Sequence, residues 1–366
     1  MKILHMISGG ETGGSKKHLL QLFHESPVEM ELLLLTEGPF ADEARKQGVK
    51  VTVIPQKNRF DQSTSGKILT FIQQNGFTLI HSHGAKSNFL INSIRRKMNI
   101  PWFITVHSDP SLDFLHQPKV INQFFTFLNK RALRNADHLF AVSEKFKKML
   151  VEMGMKASKI TPVFNGIEFH ETIPAYDKNQ IRAQFNTAET DFVFAIVARL
   201  HPVKGHEVLL KAFSKLENNN WKLWIIGDGA LRKTLEARAK QLGIQEKVQF
   251  LGTRNDVDQL LYAADVSLLT SYSESFPLVL LESADMGTPV IATDVGGVSA
   301  LVDQGKTGWI IVPGDEESLL HAAEAAISSD TSMMGRQLRK FAVNNFSNAN
   351  LQKKLLSTYQ DFQKIN

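Results

Sequence analysis

The run Ser273-Glu274-Ser275-Phe276-Pro277-Leu278-Val279-Leu280-Leu281-Glu282 joins a polar loop to an apolar stretch and predicts the start of a helix. Pro277 suits the first helical position, because its missing N–H would have no intrahelical partner there. The open amides at such an end carry partial positive charge and bind phosphate. Here they belong to Ser275, Phe276 and Leu278. Glu274 and Glu282 add acceptors for hydroxyl groups, so a sugar joined to a nucleoside diphosphate fits both chemistries.

Three further segments accompany this run. Arg199-Leu200-His201-Pro202-Val203-Lys204-Gly205 and Ile226-Gly227-Asp228-Gly229 lie upstream, and the glycine-bounded run 287–297 lies downstream. The guanidinium of Arg199 and the ammonium of Lys204 can bracket a diphosphate and offset the charge that grows on it as a sugar departs. In this order and spacing, the segments resemble the retaining glycosyltransferases of family 4, and the resemblance spans nearly the whole chain.

The resemblance implies the GT-B architecture, an α/β fold of two Rossmann-like domains whose parallel sheets face each other across a cleft. It implies that Arg199 and Lys204 bind the donor diphosphate. It also implies that Glu274 contacts the transferred sugar and that Glu282 holds the ribose hydroxyls. In similar enzymes a histidine at the position of His107 lies close to the transferred sugar, where it positions the sugar and stabilises the transition state more than it abstracts a proton.

These implications define the site that we expect. The expected catalytic residues are His107, Arg199, Lys204 and Glu274. The expected donor-binding residues are Gly13, Gly14, Arg199, Lys204, Gly227, Glu274, Ser275, Phe276, Pro277, Leu278 and Glu282. The family generally uses cations of the protein where other glycosyltransferases use a divalent ion, so we expect neither a metal nor a cofactor besides the nucleotide-sugar substrate.

Short apolar runs separated by helical segments predict an α/β fold from the pattern alone. In the first half, strands are predicted over residues 3–7, 31–36, 51–54, 79–82, 102–106 and 138–142. In the second half, they are predicted over residues 192–198, 222–226, 248–251, 266–269, 290–293 and 309–312. Strands that alternate with helices form parallel sheets covered on both faces.

The length of 366 residues exceeds the size at which a single core keeps growing, so two domains are expected. We place an N-terminal, acceptor-side domain over residues 1–170 and a C-terminal, donor-binding domain over residues 171–347, with a linker near 167–176. The family implies that the last helix, about 348–366, packs back on the first domain.

Candidate residues of the first domain follow its strands. The glycine-rich run 9–14 could turn its amides toward a phosphate or the acceptor, although it is not a dinucleotide fingerprint. His81 and His83 end the fourth predicted strand, and His107 follows the fifth. Histidines at strand ends are often plain hydrogen-bonded residues, which is our interpretation of His81. Three imidazoles suffice for zinc, but no carboxylate stands at ligand spacing, so we expect no metal site.

The composition indicates the cellular compartment in which the protein is expected. The chain has no cysteine, which suits a reducing compartment. No stretch has the length and apolar character of a membrane span, and the short apolar run at residues 3–7 is typical of a buried strand rather than a signal peptide. We therefore expect a cytoplasmic protein.

The charge is unevenly distributed. Residues 1–170 carry 22 Lys and Arg against 14 Asp and Glu, a net charge of +8, whereas the remainder has a net charge of −3. Cations beside aromatic residues could hold a peripheral enzyme on the inner face of the plasma membrane, with an ordinary solvated helix surface as the alternative. We expect no nucleic-acid partner.

The implied reaction transfers a sugar from a nucleoside diphosphate sugar, with UDP as the expected nucleotide, to a hydroxyl acceptor with retention of configuration. In the family account, attack occurs at the front face and the departing phosphate oxygen accepts the proton. The basic first domain favours a glycolipid or membrane-linked glycan acceptor, as in cell-surface polysaccharide assembly. A sugar-nucleotide epimerase of the same fold and a non-catalytic nucleotide-sugar binding protein remain open alternatives. An NAD-dependent enzyme is disfavoured because the glycine fingerprint is absent.

The chain departs from the family pattern in two places. Ser299 and Ala300 stand where many relatives have a proline followed by a glutamate, so a contact of that glutamate is missing or replaced. Lys16 and Lys17 stand where relatives often have Glu and Arg, which is expected to alter acceptor recognition.

Overall fold

The structure of the protein is a computed structural model that describes residues 1–11, 14–56, 61–113, 118–217 and 220–365. The chain divides into two compact units. Unit 1 comprises residues 1–166 and 348–366, and unit 2 comprises residues 167–347. The first segment of unit 1 ends four residues before the predicted domain boundary after residue 170. Unit 2 therefore begins at the start of the predicted linker.

Unit 1 contains a parallel sheet of seven strands in the order β3-β2-β1-β4-β5-β6-β7. The strands are β1 Lys2–Ile7, β2 Glu29–Leu34, β3 Val51–Val53, β4 Leu79–His83, β5 Trp102–Val106, β6 His138–Ala141 and β7 Ile160–Pro162. The helices are α1 Gly14–Phe23, α2 Pro39–Lys46, α3 Gln62–Gln74, α4 Ala85–Ile94, α5 Lys119–Asn135, α6 Glu144–Glu152 and, from the end of the chain, α15 Asn348–Ile365.

Unit 2 contains a parallel sheet of six strands in the order β10-β9-β8-β11-β12-β13. The strands are β8 Phe192–Val197, β9 Trp221–Ile226, β10 Val248–Gly252, β11 Val266–Leu269, β12 Val290–Thr293 and β13 Gly308–Ile311. The helices are α7 Lys178–Ala183, α8 His206–Phe213, α9 Arg232–Gln241, α10 Val257–Ala263, α11 Leu278–Asp285, α12 Val298–Leu301, α13 Glu316–Ile327 and α14 Thr331–Phe346.

The structure contains the predicted α/β fold with two parallel sheets, but it differs from the sequence predictions in detail. The edge strand β7 was not predicted, because a run of three residues that ends in Pro162 has no readable alternation. Strand β2 begins two residues earlier than predicted, because Glu29 and Met30 pair with Lys2 and Ile3 of β1.

Both faces of the sheet in unit 1 are buried, which explains why a central strand such as β5 is enclosed along its whole length. One face packs on a core that includes Ile104 and Leu133. The other face packs on a core to which α15 contributes Leu351, Leu355 and Tyr359. Helix α15, the last helix, therefore covers one face of a sheet that contains β1, the first strand.

The strand order places a topological switch point in each unit. In unit 1 the first strand, β1, lies between β2 and β4, and in unit 2 the strand β8 lies between β9 and β11. The chain leaves the two central strands in opposite directions at such a point, which opens a crevice at their carboxyl ends where ligands bind. The loops after β8 and β11, and those after β1, β4 and β5, are therefore the places to look for a site.

Candidate active site

The candidate donor site of unit 2 lies at its switch point. Strands β8 and β11 are parallel neighbours, with Phe194 opposite Val266 and Ile196 opposite Leu268. Their carboxyl ends consequently lie side by side. Arg199 and Lys204 follow β8, and the loop with Glu274 follows β11. The fold thus brings together residues that are 70 positions apart.

Lys204 and Glu274 are in direct contact. The Nζ atom of Lys204 donates to Oε1 of Glu274 at 2.5 Å, and the hydroxyl of Ser271 donates to the same oxygen at 2.7 Å. The side chains of Lys204 and Glu274 are only 19% and 14% exposed. In this state the lysine and the carboxylate neutralise each other, and a diphosphate would compete with Glu274 for the ammonium group.

The two loops are held together by backbone contacts. The N–H of Tyr272 donates to the carbonyl of Val203 at 2.8 Å, and the hydroxyl of Thr270 donates to the carbonyl of Lys204 at 2.8 Å. Gly205 has a φ of 70°, and a Cβ atom there would lie 2.1 Å from the carbonyl oxygen of Thr270. Only glycine fits this close approach, which fixes the position of Lys204 beside the loop after β11.

Arg199 has a different environment. Its side chain is exposed, and within the described residues it has no hydrogen-bond or ion-pair partner. Gly227 holds the backbone nearby, because a Cβ atom there would lie 2.1 Å from the carbonyl oxygen of Ala198. A Cβ atom on Gly229 would likewise come too close to the backbone of Leu200. The structure therefore gives these two glycines a packing role around a cation that is available for an anionic ligand.

The helix start predicted at Pro277 is present, with one correction. Pro277 is the N-cap residue of α11 and Leu278 is its first residue, one position later than predicted. Such a shift is within the usual uncertainty of helix ends. No side chain of the described residues caps this end, so its first amides can serve an anionic ligand. Phe276 is buried and stacks on Phe346, which anchors the turn that precedes the helix.

The glycine-rich segment after β12 supports the same turn. The N–H of Gly297 donates to the carbonyl of Ser275 at 3.0 Å. A Cβ atom on Gly296 would lie 2.1 Å from that carbonyl oxygen and 2.4 Å from the carbonyl oxygen of Glu274. Glu282 is half-buried on α11, close in sequence to the buried Asp285. Unit 2 thus gathers Arg199, Lys204, the turn at 274–277 and the start of α11 around the ends of β8 and β11.

The candidate residues of unit 1 are less completely described. Gly13 lies outside the described residues, whereas Gly14 is the first residue of α1. His107 directly follows β5 and is half-buried. Its Nε2 atom lies 3.0 Å from Nδ1 of His83.

His107 belongs to a cluster of histidines that the sequence analysis recognised only in part. His5 on β1 is paired with His81 on β4, and its Nδ1 atom lies 3.1 Å from Nε2 of His83. His18 on α1 contacts the ring of His107 edge to face, with ring centroids 4.9 Å apart. The missed residues were His5 and His18. The signal that could have identified His5 was a lone histidine within the otherwise apolar run 3–7 of the first strand.

The cluster is electrically neutral because it is buried. Burial lowers the pKa of His5 to about 3 and that of His18 to about 4. Burial also lowers the pKa values of His81, His83 and His107 well below the ordinary value of imidazole, and neighbouring histidines lower them further. Around neutral pH, each of these rings therefore carries a single proton.

His81 is the hydrogen-bonded residue that we predicted. Its Nδ1 atom lies 2.6 Å from the hydroxyl of Tyr359 and its Nε2 atom lies 2.7 Å from the hydroxyl of Thr105. His5, His81 and His83 each bring a ring nitrogen within 4.8 Å of the others, a spacing that a metal ion could use. A metal would have to replace the hydrogen bonds that these rings already make.

Comparisons with known proteins agree with this architecture. Residues 13–171 match the family model described as Glycosyltransferase Family 4, and residues 177–344 match the model described as Glycosyl transferases group 1. Together the two matches cover most of the chain. The first ends at residue 171, five residues into unit 2, and the second lies within unit 2.

Two relatives match over most of their length. A UDP-Gal:alpha-D-GlcNAc-diphosphoundecaprenol alpha-1,3-galactosyltransferase of Escherichia coli is 24% identical, over 99% of this chain and 97% of the relative. An N-acetyl-alpha-D-glucosaminyl L-malate synthase of Bacillus anthracis is 25% identical, over 82% of this chain and 78% of the relative.

Among solved structures, the fold is similar to that of Anabaena HepE in complex with UDP, with a TM-score of 0.87 and 22% identity over 99% of this chain and 100% of that chain. The same protein in complex with UDP-glucose gives a TM-score of 0.84 and 23% identity over the same shares of the two chains. The chain belongs to the glycosyltransferases of the GT-B fold, with a first half of the Glycosyltransferase Family 4 type and a second half of the group 1 type.

Proposed function

We propose that this protein transfers a sugar from a UDP-sugar to a hydroxyl acceptor with retention of configuration. The contact between Lys204 and Glu274 at the switch point of unit 2 carries this proposal, together with the exposed cation of Arg199, which has no partner among the described residues. UDP is the nucleotide proposed because the relative from Escherichia coli is described as using UDP-Gal and HepE is bound to UDP and UDP-glucose in its crystals.

The chemistry follows from the charges at the site. When the bond between sugar and diphosphate breaks, negative charge grows on the diphosphate, and fixed cations stabilise that charge most when no water screens them. Arg199, Lys204 and the amide end of α11 supply the stabilisation. These groups take the place of a divalent ion, so we propose a reaction that needs no metal.

The two glutamates orient the donor. Once a phosphate binds Lys204, the carboxylate of Glu274 is released and can accept hydrogen bonds from the hydroxyl groups of the transferred sugar. Glu282 on α11 accepts hydrogen bonds from the ribose. Retention is proposed through attack at the front face, in which the departing phosphate oxygen accepts the proton of the acceptor hydroxyl.

The acceptor side of the proposal depends on the surface of α5. Val120, Phe124 and Phe127 lie on one outward stripe of this helix and are 77%, 55% and 56% exposed. Arg131 and Arg134 continue the same stripe. No helix in the described part of the chain is long and apolar enough to span a bilayer. Apolar rings beside cations fit the headgroup region of an anionic membrane, where each cation contributes about 1 kcal/mol.

We therefore place the enzyme at the inner face of the plasma membrane, acting on a lipid-linked glycan. Co-sedimentation with phosphatidylcholine vesicles, with and without phosphatidylglycerol, tests this location. Phe124→Ser should reduce binding to the anionic vesicles, while Phe341→Ser, which changes an exposed phenylalanine of α14, should not. Equal binding to both kinds of vesicle would contradict the proposal.

The first test of the donor site is a thermal-shift screen against UDP, GDP, ADP and their sugar conjugates. A ligand at 100 times its dissociation constant adds about 2.7 kcal/mol to the unfolding free energy, which raises the melting temperature measurably. UDP should stabilise the wild type but not Arg199→Ala. The matched control is Arg336→Ala, which removes an exposed arginine of α14 and should retain the response to UDP.

Product analysis then separates the remaining functions. A transferase forms a glycoside with the acceptor, and addition of a chelator should leave its rate unchanged. Release of a free epimerised sugar would identify an epimerase instead. Binding of UDP without turnover on any acceptor preparation would identify a binding protein, for which the substitution of the family's glutamate by Ala300 is the supporting observation.

A further inference from the structure

Three imidazoles of unit 1 form a hydrogen-bonded row that ends at His107, the expected catalytic residue of this unit. Nδ1 of His5 lies 3.1 Å from Nε2 of His83, and Nδ1 of His83 lies 3.0 Å from Nε2 of His107. His5 and His83 are fully buried, while His107 is half-buried at the end of β5. The row thus runs from the interior of the sheet to the residue that similar enzymes place near the transferred sugar.

The protons of the row are coupled. A neutral imidazole has one N–H donor and one bare nitrogen that accepts. If His83 carries its proton on Nδ1, it donates to His107 and accepts from His5, so all three rings are Nδ1–H tautomers. If His83 carries its proton on Nε2, all three rings are Nε2–H tautomers. The row therefore has two proton arrangements. A contact that fixes which nitrogen of one ring carries the proton fixes it for all three rings.

The buried end of the row distinguishes the two arrangements. Nε2 of His5 is enclosed and has no hydrogen-bond partner in the described residues. In the Nε2–H arrangement this atom would be a buried donor without an acceptor, which costs about 1–3 kcal/mol. In the other arrangement it is an unpaired acceptor, which proteins tolerate more often than an unpaired N–H.

The other end of the row, at His107, is also compatible with the Nδ1–H arrangement. His107 is not fully enclosed, and in the described part of the chain its Nδ1 atom has no hydrogen-bond partner. We infer that the row holds His107 as its Nδ1–H tautomer, with the proton on the nitrogen that does not face His83, and that His83 is the positioning residue that sets this tautomer. The edge contact with His18 further restricts the ring.

This inference deepens the proposed transferase function and depends on it for its catalytic meaning. A protonated Nδ1 can donate a hydrogen bond to a hydroxyl or phosphate oxygen, but it cannot remove a proton. In the proposed reaction His107 therefore serves as a hydrogen-bond donor and not as a base. The row also ends at His5 without a further partner in the described residues, so it locks a tautomer and does not conduct protons across the domain.

The tautomer can be measured directly by NMR on the full-length protein labelled with ¹⁵N in its histidine rings. Couplings between ring nitrogens and ring protons show which nitrogen carries hydrogen, and the signals of His107 are identified by their loss in His107→Gln. We expect the Nδ1–H form in the wild type. An Nε2–H form would overturn the inference, whether or not the protein proves to be a transferase.

Two variants of similar size test the role of His83. The amide nitrogen of asparagine occupies roughly the place of Nδ1 and can still donate to His107, whereas that of glutamine occupies roughly the place of Nε2 and faces His5. His83→Asn should keep His107 as Nδ1–H, and His83→Gln should shift it toward Nε2–H. Identical tautomers in the two variants would contradict the role of His83.

The turnover of the same two variants is then compared. His83→Gln should lower kcat about tenfold relative to His83→Asn, while the dissociation constant of UDP stays the same in both. Thermal unfolding shows whether each variant is folded, and if one is not, the wild-type spectrum still decides the tautomer. Failure of UDP binding in the wild type would defeat the proposed function but leave the tautomer result standing.

Discussion

At the scale of a residue, the ion pair between Lys204 and Glu274 links stability to the proposed binding of the donor. Among the described residues, Lys204→Met would leave the hydroxyl of Ser271 as the remaining partner of the poorly exposed carboxylate of Glu274. We expect this change to lower the unfolding free energy by about 1–3 kcal/mol. The double variant Lys204→Met with Glu274→Gln should recover part of the loss, because neither charge remains.

Urea denaturation of the two single variants and the double variant measures this coupling. Strictly additive effects would show that the pair is not coupled in solution. Isothermal titration with UDP adds a second readout. Glu274→Gln should bind UDP at least as tightly as the wild type, because the ammonium of Lys204 no longer has to leave a carboxylate, whereas turnover should fall.

At the scale of an element, the connection between β8 and α8 depends on one glycine. Gly205 and Gly243 have nearly the same backbone, with φ of 70° and 73°, but a Cβ atom would be 2.1 Å from Thr270 at Gly205 and would have nothing within 4 Å at Gly243. Gly243→Ala should therefore cost about 1 kcal/mol for the backbone alone. Gly205→Ala should cost at least about 3 kcal/mol, because the loop must also move.

Denaturant unfolding of the two variants compares these costs, and UDP titration provides the functional comparison. Gly205→Ala should abolish UDP binding, since displacement of the loop moves Lys204 away from the position in which it is proposed to bind the diphosphate. Gly243→Ala should bind UDP normally. Equal stability losses in the two variants would show that the close approach to Thr270 is absent.

At the scale of the whole molecule, buried neutral histidines make stability depend on pH. Burial lowers the pKa of His5 to about 3 and of His18 to about 4, and burial together with Lys204 lowers that of His206 to about 4. Below pH of about 6.5 these histidines bind protons in the unfolded chain but remain neutral in the folded chain. Each such histidine then lowers the unfolding free energy by up to about 1.4 kcal/mol per pH unit.

We therefore expect the unfolding free energy to be nearly constant above pH of about 7.5 and to fall between about 6.5 and 4. Urea midpoints measured near pH 7.5, 6.5 and 5.5 test this range, in which few carboxylates titrate. An unchanged midpoint across the three values would contradict the burial of these rings.

The amino-acid sequence by itself determined the class of fold and named most of the residues of the candidate donor site. Apolar runs at strand length, separated by helical segments, predict parallel sheets because both faces of such strands must be buried. The order of the motifs around Arg199, Glu274 and Glu282 led to the family. A signal was lacking at β7, where Pro162 interrupts a run too short to show alternation.

Only the tertiary structure decided which side chains meet. Lys204 binds Glu274 because β8 and β11 are neighbours in the sheet, although they are not consecutive in the chain. His81 meets Tyr359 across 278 positions because α15 returns to the face of the sheet in unit 1. The row from His5 through His83 to His107 arises in the same way. Periodicity encodes which face of a strand is buried, but strand order decides what lies beside it.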